Sequence, residues 1–395
     1  MTQKLYKGGR FAHPALINNR LCIKNRHDFL DQQGFFALGK EKLTPLNISD
    51  VFIRSAELLP LNRSVFEEIE RGSGSDPEIF AQDPSGNVIP AWEWLPAEYE
   101  VNKKAESSLY WDGAQAEFSF SQGFNCHDGL VYHTRKALKN LNETLQDKYP
   151  EGKLVCKDVV TLSPLVRKKA SYEYVNLGCS PSCNAYPNVE PIHVPDPRAL
   201  KYRFAGTHLH YTIGKGIKIP SWYPHGTVVM MDKIAGLLLT ALGRDLENPI
   251  RRKFYGKAGE FREKQPPKGF NAHLEYRSPG SFLLSAPQLF HFGLDIGREA
   301  FRLGLIYDGR TWPLADTAEI INNCDADAAF ALIEKQKEFF VPFLKAIYPE
   351  GAQKHTWQLL KKGAKTRFEK SVEKNWLLAR GIDSITIPRW RDLTF

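Results

Sequence analysis

The chain has 395 residues, long for one compact domain, so one large domain with extensions or two domains is expected. Its 42% apolar and 25% charged residues are those of a globular protein, with no internal repeat, low-complexity tract or apolar signal-peptide core at Met1–Arg10. The net charge of +8, from 53 basic and 45 acidic residues, favours anionic partners such as nucleotides, nucleic acid or acidic substrates, but is too dispersed to single one out. The six cysteines (Cys22, Cys126, Cys156, Cys179, Cys183, Cys324) are expected as free thiols in the cytoplasm rather than as disulfides.

Residues 1–70 are polar and mixed, with short apolar alternations at 35–38 and 51–53, and read as a β-rich extension. A Gly/Ser loop at 72–75 leads into Asp76-Pro77-Glu78-Ile79-Phe80-Ala81, and the turn at 83–87 returns the chain into Val88-Ile89, which predicts a hairpin. Pro77 lacks an N–H, which places it at a strand start or on an edge. After a turn at Trp111-Asp112-Gly113, residues 114–120 alternate, with Ala116, Phe118 and Phe120 on one face and Gln115, Glu117 and Ser119 on the other. Leu130, Thr134, Leu138, Leu141 and Leu145 share one side of a helix over 127–147, with Asp128 as its candidate cap.

Residues 159–165 and 203–213 read as strands, the second with Thr207, Leu209, Tyr211 and Ile213 inward and His208, His210 and Thr212 opposite. Residues 228–242 form a buried helix ending at Gly243, too short to span a bilayer, so no membrane association is expected. The stretch 249–269 reads as a basic, Gly- and Pro-rich loop, and 272–277 and 280–284 as strand pieces. From Asp325 the spacing turns helical, with Pro342 as an irregularity, and a charged helical tail continues to about 380. Strands interspersed with helices, without βαβ alternation, predict an α+β fold with a mainly antiparallel sheet.

Three segments share one layout: functional side chain, intervening residue, functional side chain. They are Asp76-Pro77-Glu78, His208-Leu209-His210 and Glu275-Tyr276-Arg277, with Glu117 in a similar alternation. Residues i and i+2 of a strand face the same way, so one sheet could gather these carboxylates, imidazoles and a guanidinium on one surface. Hard divalent cations take such carboxylates together with phosphate oxygens. A His-x-His strand alone would equally suit zinc, substrate binding or two surface histidines. The segment Arg251-Arg252-Lys253-Phe254-Tyr255-Gly256-Lys257-Ala258-Gly259-Glu260-Phe261-Arg262 offers cations for phosphate, or a solvated basic or nucleic-acid-binding loop. Cys179 and Cys183 have a spacing that could begin a zinc site, perhaps with Cys156 or His193, although no second pair completes it.

Taken in order, Gly74-Ser-Asp-Pro-Glu78, Asp112-Gly-Ala-Gln-Ala-Glu-Phe118, Gly178-Cys-Ser-Pro-Ser-Cys-Asn-Ala-Tyr186, Ala205-Gly-Thr-His-Leu-His210, Tyr255-Gly-Lys-Ala-Gly-Glu-Phe-Arg262 and Glu275-Tyr-Arg-Ser278 resemble the phage-type carboxylate–amine ligases of the glutamine synthetase and glutamate–cysteine ligase superfamily. The resemblance covers about residues 72–310. It implies a glutamine synthetase-like catalytic domain at 71–324, with a curved antiparallel sheet and helices on one face, between a β-rich extension (1–70) and a helical one (325–395). It also implies ATP and Mg²⁺ or Mn²⁺ as cofactors, carboxylate and amine substrates, and an amide formed through an acyl phosphate. By the same resemblance Asp76, Glu78, Glu117, His208 and Glu275 are metal ligands, with Asp112 a subordinate candidate. Arg252, Arg262 and Lys257 bind phosphate. Arg277, His210 and Lys257 are the catalytic set, and Asn184 and Arg277 bind substrate. Cys183 departs from the larger apolar or aromatic residue expected there. The competing readings are a non-catalytic, virion-associated or binding protein that retains the fold, and a basic nucleic-acid-binding protein. The localisation implied is cytoplasmic, in the host if the chain is phage-encoded.

Overall fold

The computed structural model describes residues 73–377, apart from 102–106, 121–126, 170–181, 188–198, 215–218, 349, 367 and 369–370, together with 37–38 and 41–42. Two short strands, β1 (Ala37–Leu38) and β2 (Glu41–Lys42), pair with each other. They are followed by β3 (Gly74–Gln82), β4 (Val88–Ile89), β5 (Ser107–Asp112), β6 (Gln115–Phe120), β7 (Lys153–Val155) and β8 (Val159–Thr161). Then come β9 (Cys183–Asn184), β10 (Tyr202–Phe204), β11 (Thr207–Gly214), β12 (Glu260–Lys264) and β13 (Phe270–Tyr276). A nine-stranded sheet runs β5-β6-β3-β11-β13-β12-β9, with β4 and β7 on the far half of β3 and every ladder antiparallel. Helices and antiparallel strands together make an α+β architecture.

One face of the sheet is apolar and lies on helices. The long helices are α1 (His127–Lys148), α2 (His225–Leu242) and α3 (Pro287–Ile306). Tyr211 of β11 stacks on Phe301 of α3 at 5.0 Å, and Gly297 lets the helix sit directly on Leu209 and Tyr211, where a Cβ would fall 2.3 Å from the Tyr211 hydroxyl. Helix α2 lies behind β13. A π turn at Asp232–Gly236 interrupts it there, and Asp232 Oδ1 accepts from the Tyr276 hydroxyl at 2.6 Å. This helix is eighteen residues long and apolar enough to cross a membrane, longer than the sequence reading allowed, but it is almost wholly buried inside the fold. Gly243 ends it as expected.

The helices after residue 325 join the same core: Ala329, Ile333, Phe340, Leu360 and Trp376 are buried in one apolar cluster with Leu209 and Leu274. Trp376 packs on Phe290 and donates its indole N–H to Leu284 O at 2.7 Å. The expected helical run from Asp325 is two helices, Ala326–Lys335 and Lys337–Ile347, and the second contains Pro342.

Several expected elements differ. Pro77 sits inside β3, a central strand. Glu78 donates to Gly206 O on the β11 side, so the nitrogen of Pro77 faces β6, whose register begins only at Glu78. The strand expected at 159–165 stops at Thr161, because Pro164 opens a short helix, Pro164–Lys169. The single strand expected at 203–213 is two: β10 pairs with β8, and the chain turns at Ala205-Gly206 before β11. The basic stretch is not a loop. Asn248 caps helix Pro249–Phe254, accepting from Ile250 N–H at 3.0 Å, and β12 follows. The piece expected at 280–284 as strand is a 3-10 turn, Ser281–Ser285. Asp128 lies within α1 rather than ahead of it.

Candidate active site

Strand register brings the motif residues together. His208 lies opposite Asp76, Glu78 opposite Glu117, and Glu275 opposite both His210 and Arg262. With the two-residue period of each strand, this puts Glu117, Glu78, Asp76, His208, His210, Glu275 and Arg262 on the face away from the helices. That face is enclosed: Asp76, Glu78, His208, His210 and Glu275 are all buried.

Two compact groups result. One atom each of Asp76, His210 and Glu275 lie within 4.8 Å of one another, and so do one oxygen each of Glu78, Asp112 and Glu117. His210 Nε2 is 2.7 Å from Asp76 Oδ1, and its Nδ1 is 2.9 Å from His273 Nε2. His208 Nδ1 is 3.1 Å from Asp76 and 3.5 Å from Glu275, and its Nε2 meets the Tyr255 hydroxyl. The sequence reading made His208 the metal ligand and put His210 in the catalytic set, and it is His210 that completes the compact triad. Tyr255 joins the groups, since its hydroxyl also donates to Glu78 at 3.0 Å, and Tyr110 donates to Glu117 at 2.8 Å.

The two groups differ in charge balance. Burial alone would raise Asp76, but His210, Lys264 and His208 hold it well below the usual carboxylate range. Burial and Asp76 push Glu275 up, and His208, His210 and Lys264 outweigh them. Burial raises Glu78 despite His208 and Arg277. It raises Asp112 and Glu117 far more, because the neighbouring carboxylates, Glu78 beside Asp112 and Asp76 beside Glu117, add to it. His273 is pushed down to about 4 by burial, with His210 and Lys264 adding to it.

The cations divide into two sets. Arg262 and Arg277 belong to the acidic face: Arg262 is 3.8 Å and Arg277 3.4 Å from Glu275, and Arg277 is wholly buried with its guanidinium 5.1 Å from the Tyr255 ring centre. Arg252, expected to bind phosphate, is turned into the protein. It pairs with Glu247 at 2.8 Å and donates to Gly256 O and Ser278 O. Its neighbour Arg251 donates to the carbonyls of Arg277, Ser278 and Pro279. These two arginines hold the chain around β13. Lys257 contributes its carbonyl, which accepts from Ser278 Oγ at 2.8 Å. Both ends of the Asn184 amide serve the backbone: Nδ2 donates to Ala258 O and Oδ1 accepts from Tyr186 N–H, each at 2.9 Å.

Lys264, His273, Tyr255 and Tyr110 were not anticipated. Lys264 Nζ bridges Asp76 Oδ2 at 3.1 Å and Glu275 Oε2 at 2.9 Å. A signal was present, because Arg262-Glu263-Lys264 and His273-Leu274-Glu275 repeat the alternating layout. Of the zinc candidates, Cys179 and His193 lie outside the described residues, while Cys156 and Cys183 are free thiols, as is Cys324.

No protein-family model matches this sequence, and no curated protein does. Among solved structures the chain is similar to apo GmaS without ligand, at 11% identity and a TM-score of 0.37, over 86% of this chain and 79% of that one. Fold and site define an α+β protein whose antiparallel sheet carries a buried acid–base cluster on one face and helices on the other.

Proposed function

We propose that this chain is an ATP-dependent carboxylate–amine ligase of the glutamine synthetase-like type, with its catalytic domain at 71–324 and extensions on either side. The observation that carries the reading is the convergence of five separate sequence motifs: strands β3, β6, β11, β12 and β13 bring Asp76, Glu78, Glu117, His208, His210, Glu275 and Arg262 to one face. The donor set fits hard divalent ions, since each compact group is rich in carboxylate oxygen and Mg²⁺ or Mn²⁺ takes such ligands with phosphate. Bound there, such an ion would neutralise charge on the transferring phosphoryl group.

The side chains then have distinct tasks. Arg262 and Arg277, both beside Glu275, offer planar donors to an anionic phosphate or carboxylate. A substrate carboxylate oxygen bonds to the γ-phosphorus of ATP as the bond to ADP breaks. The amine nitrogen then bonds to the acyl carbon, phosphate leaves, and the ammonium proton passes to a base. His210 would accept it at Nδ1 on giving up the contact with His273 Nε2, while Asp76 holds the other ring nitrogen. The enclosed face keeps water from the acyl phosphate. The test is a screen of pooled acids and amines for ADP release, with mass spectrometry for the new amide. Release is expected to need both substrates and Mg²⁺ or Mn²⁺, and to fall at least a hundredfold in Glu275→Ala. Undiminished release in that variant would remove the reading.

A further inference from the structure

We infer that Lys264 is a built-in counter-cation occupying the place of one of two divalent ions, so that the site takes a single such ion, at Glu78, Asp112 and Glu117. This rests on the ligase reading of the same site.

The geometry is specific. Lys264 is on β12 and Asp76 on β3, with β13 and β11 between them. On a flat sheet those outer strands would be about 14 Å apart. The sheet curls enough for the ammonium to sit 3.1 Å from Asp76 and 2.9 Å from Glu275, the two carboxylates of the first compact group. An ion held by that group would bridge the same two carboxylates, at the shorter 2.0–2.6 Å of a metal–oxygen bond. It would have to displace the ammonium or lie against it.

Charge points the same way. The two groups hold five carboxylates: Asp76, Glu275, Glu78, Asp112 and Glu117. Three fixed cations pair with them, Lys264, Arg262 and Arg277, and all three pair with Glu275. The first group is therefore compensated by the protein itself. Glu78 and Glu117 are met by neutral donors: the Gly206 N–H and the hydroxyls of Tyr255 and Tyr110. Lys264 thus pairs with both carboxylates of the first group, while the hydrogen-bond donors to Glu78 and Glu117 are neutral, so the second group is the one left to attract a divalent ion.

The test counts ions. Mn²⁺ is titrated into the full-length protein by calorimetry, bound ions are counted by electron paramagnetic resonance, and circular dichroism confirms that each variant is folded. One ion per chain is expected in the wild type, two in Lys264→Gln, and one in Lys264→Arg, which keeps the charge. The added ion should bind at least tenfold more tightly in Lys264→Gln than any second ion does in the wild type. In the Lys264→Gln background, Glu275→Gln should remove the added ion and Glu117→Gln the original one. Two tight ions in the wild type, or one ion that Glu275→Gln abolishes and Glu117→Gln spares, would overturn the role of Lys264 and leave the ligase reading standing. No ion in any of these proteins, with ATP present, would overturn both.

Discussion

Asp232 gives a pH dependence that can be worked out in advance. It lies in the π turn behind β13, with no exposed surface, and accepts from the Tyr276 hydroxyl at 2.6 Å. Burial pushes its carboxyl from 3.8 up to about 7, against hydrogen bonds of which the one from Tyr276 is foremost. Below pH 4 the acid is protonated whether the chain is folded or not. Between pH 4 and 7 the unfolded chain gives up this proton while the folded protein keeps it, so stability falls as pH rises and levels off above 7. Roughly three units at about 1.4 kcal/mol each make ~4 kcal/mol in all, of which somewhat more than half is lost between pH 5 and 8. Asp232→Asn keeps an acceptor for Tyr276 and cannot ionise. Urea unfolding followed by tryptophan fluorescence should therefore show the variant gaining on the wild type by ~3 kcal/mol from pH 5 to 8. A constant offset from the new amide does not affect this slope. Parallel profiles for the two proteins would refute the argument.

Two further outcomes concern packing. Trp376→Ala should cost about 3–5 kcal/mol for the vacated volume, while Trp376→Phe should recover most of it and leave Leu284 O without its donor, as read from urea midpoints. Gly259 and Gly86 both have positive φ, but a Cβ at Gly259 would fall 2.5 Å from Asn184 Oδ1 and one at Gly86 would meet nothing within 4 Å. Gly86→Ala should therefore cost only the backbone penalty, about 1 kcal/mol, and Gly259→Ala clearly more; equal losses would discount the contact.

The site was more legible in the sequence than the fold that encloses it. A strand period of two needs only neighbouring residues to be read, so Asp76 with Glu78 and His208 with His210 were visible in pairs. Register between strands is not written in any one segment. It decides that Glu117 meets Glu78 and that Arg262 meets Glu275. Lys264 was missed because the Gly and Pro residues around it read as loop, although its own segment alternates. Arg252 was misplaced for another reason: composition shows a cation but not its partner, and Glu247 with two carbonyls claims this one. Helix α3 went unread although His291, Asp295, Arg298, Glu299 and Arg302 recur along it at helical spacing.

The apolar face explains how the charged one can exist. Each strand that carries a site residue alternates it with an anchored one. Leu209 and Tyr211 flank His210 and lie on α3 through Gly297 and Phe301. Leu274 and Tyr276 flank Glu275, and Tyr276 is bonded to Asp232 of α2. Ile79 follows Glu78, and Phe118 follows Glu117, both fully buried. Carboxylates that repel one another would separate if their strands were free to shift. Apolar burial at ~25 cal/mol per Å² fixes the backbone of each strand independently of the charges it displays on the other side. Burial, joined at Asp112 and Glu117 by the neighbouring carboxylates, then appears as raised proton affinity rather than as movement. A group of acids held in place in this way is preorganised for a cation, because little reorganisation is left to oppose binding.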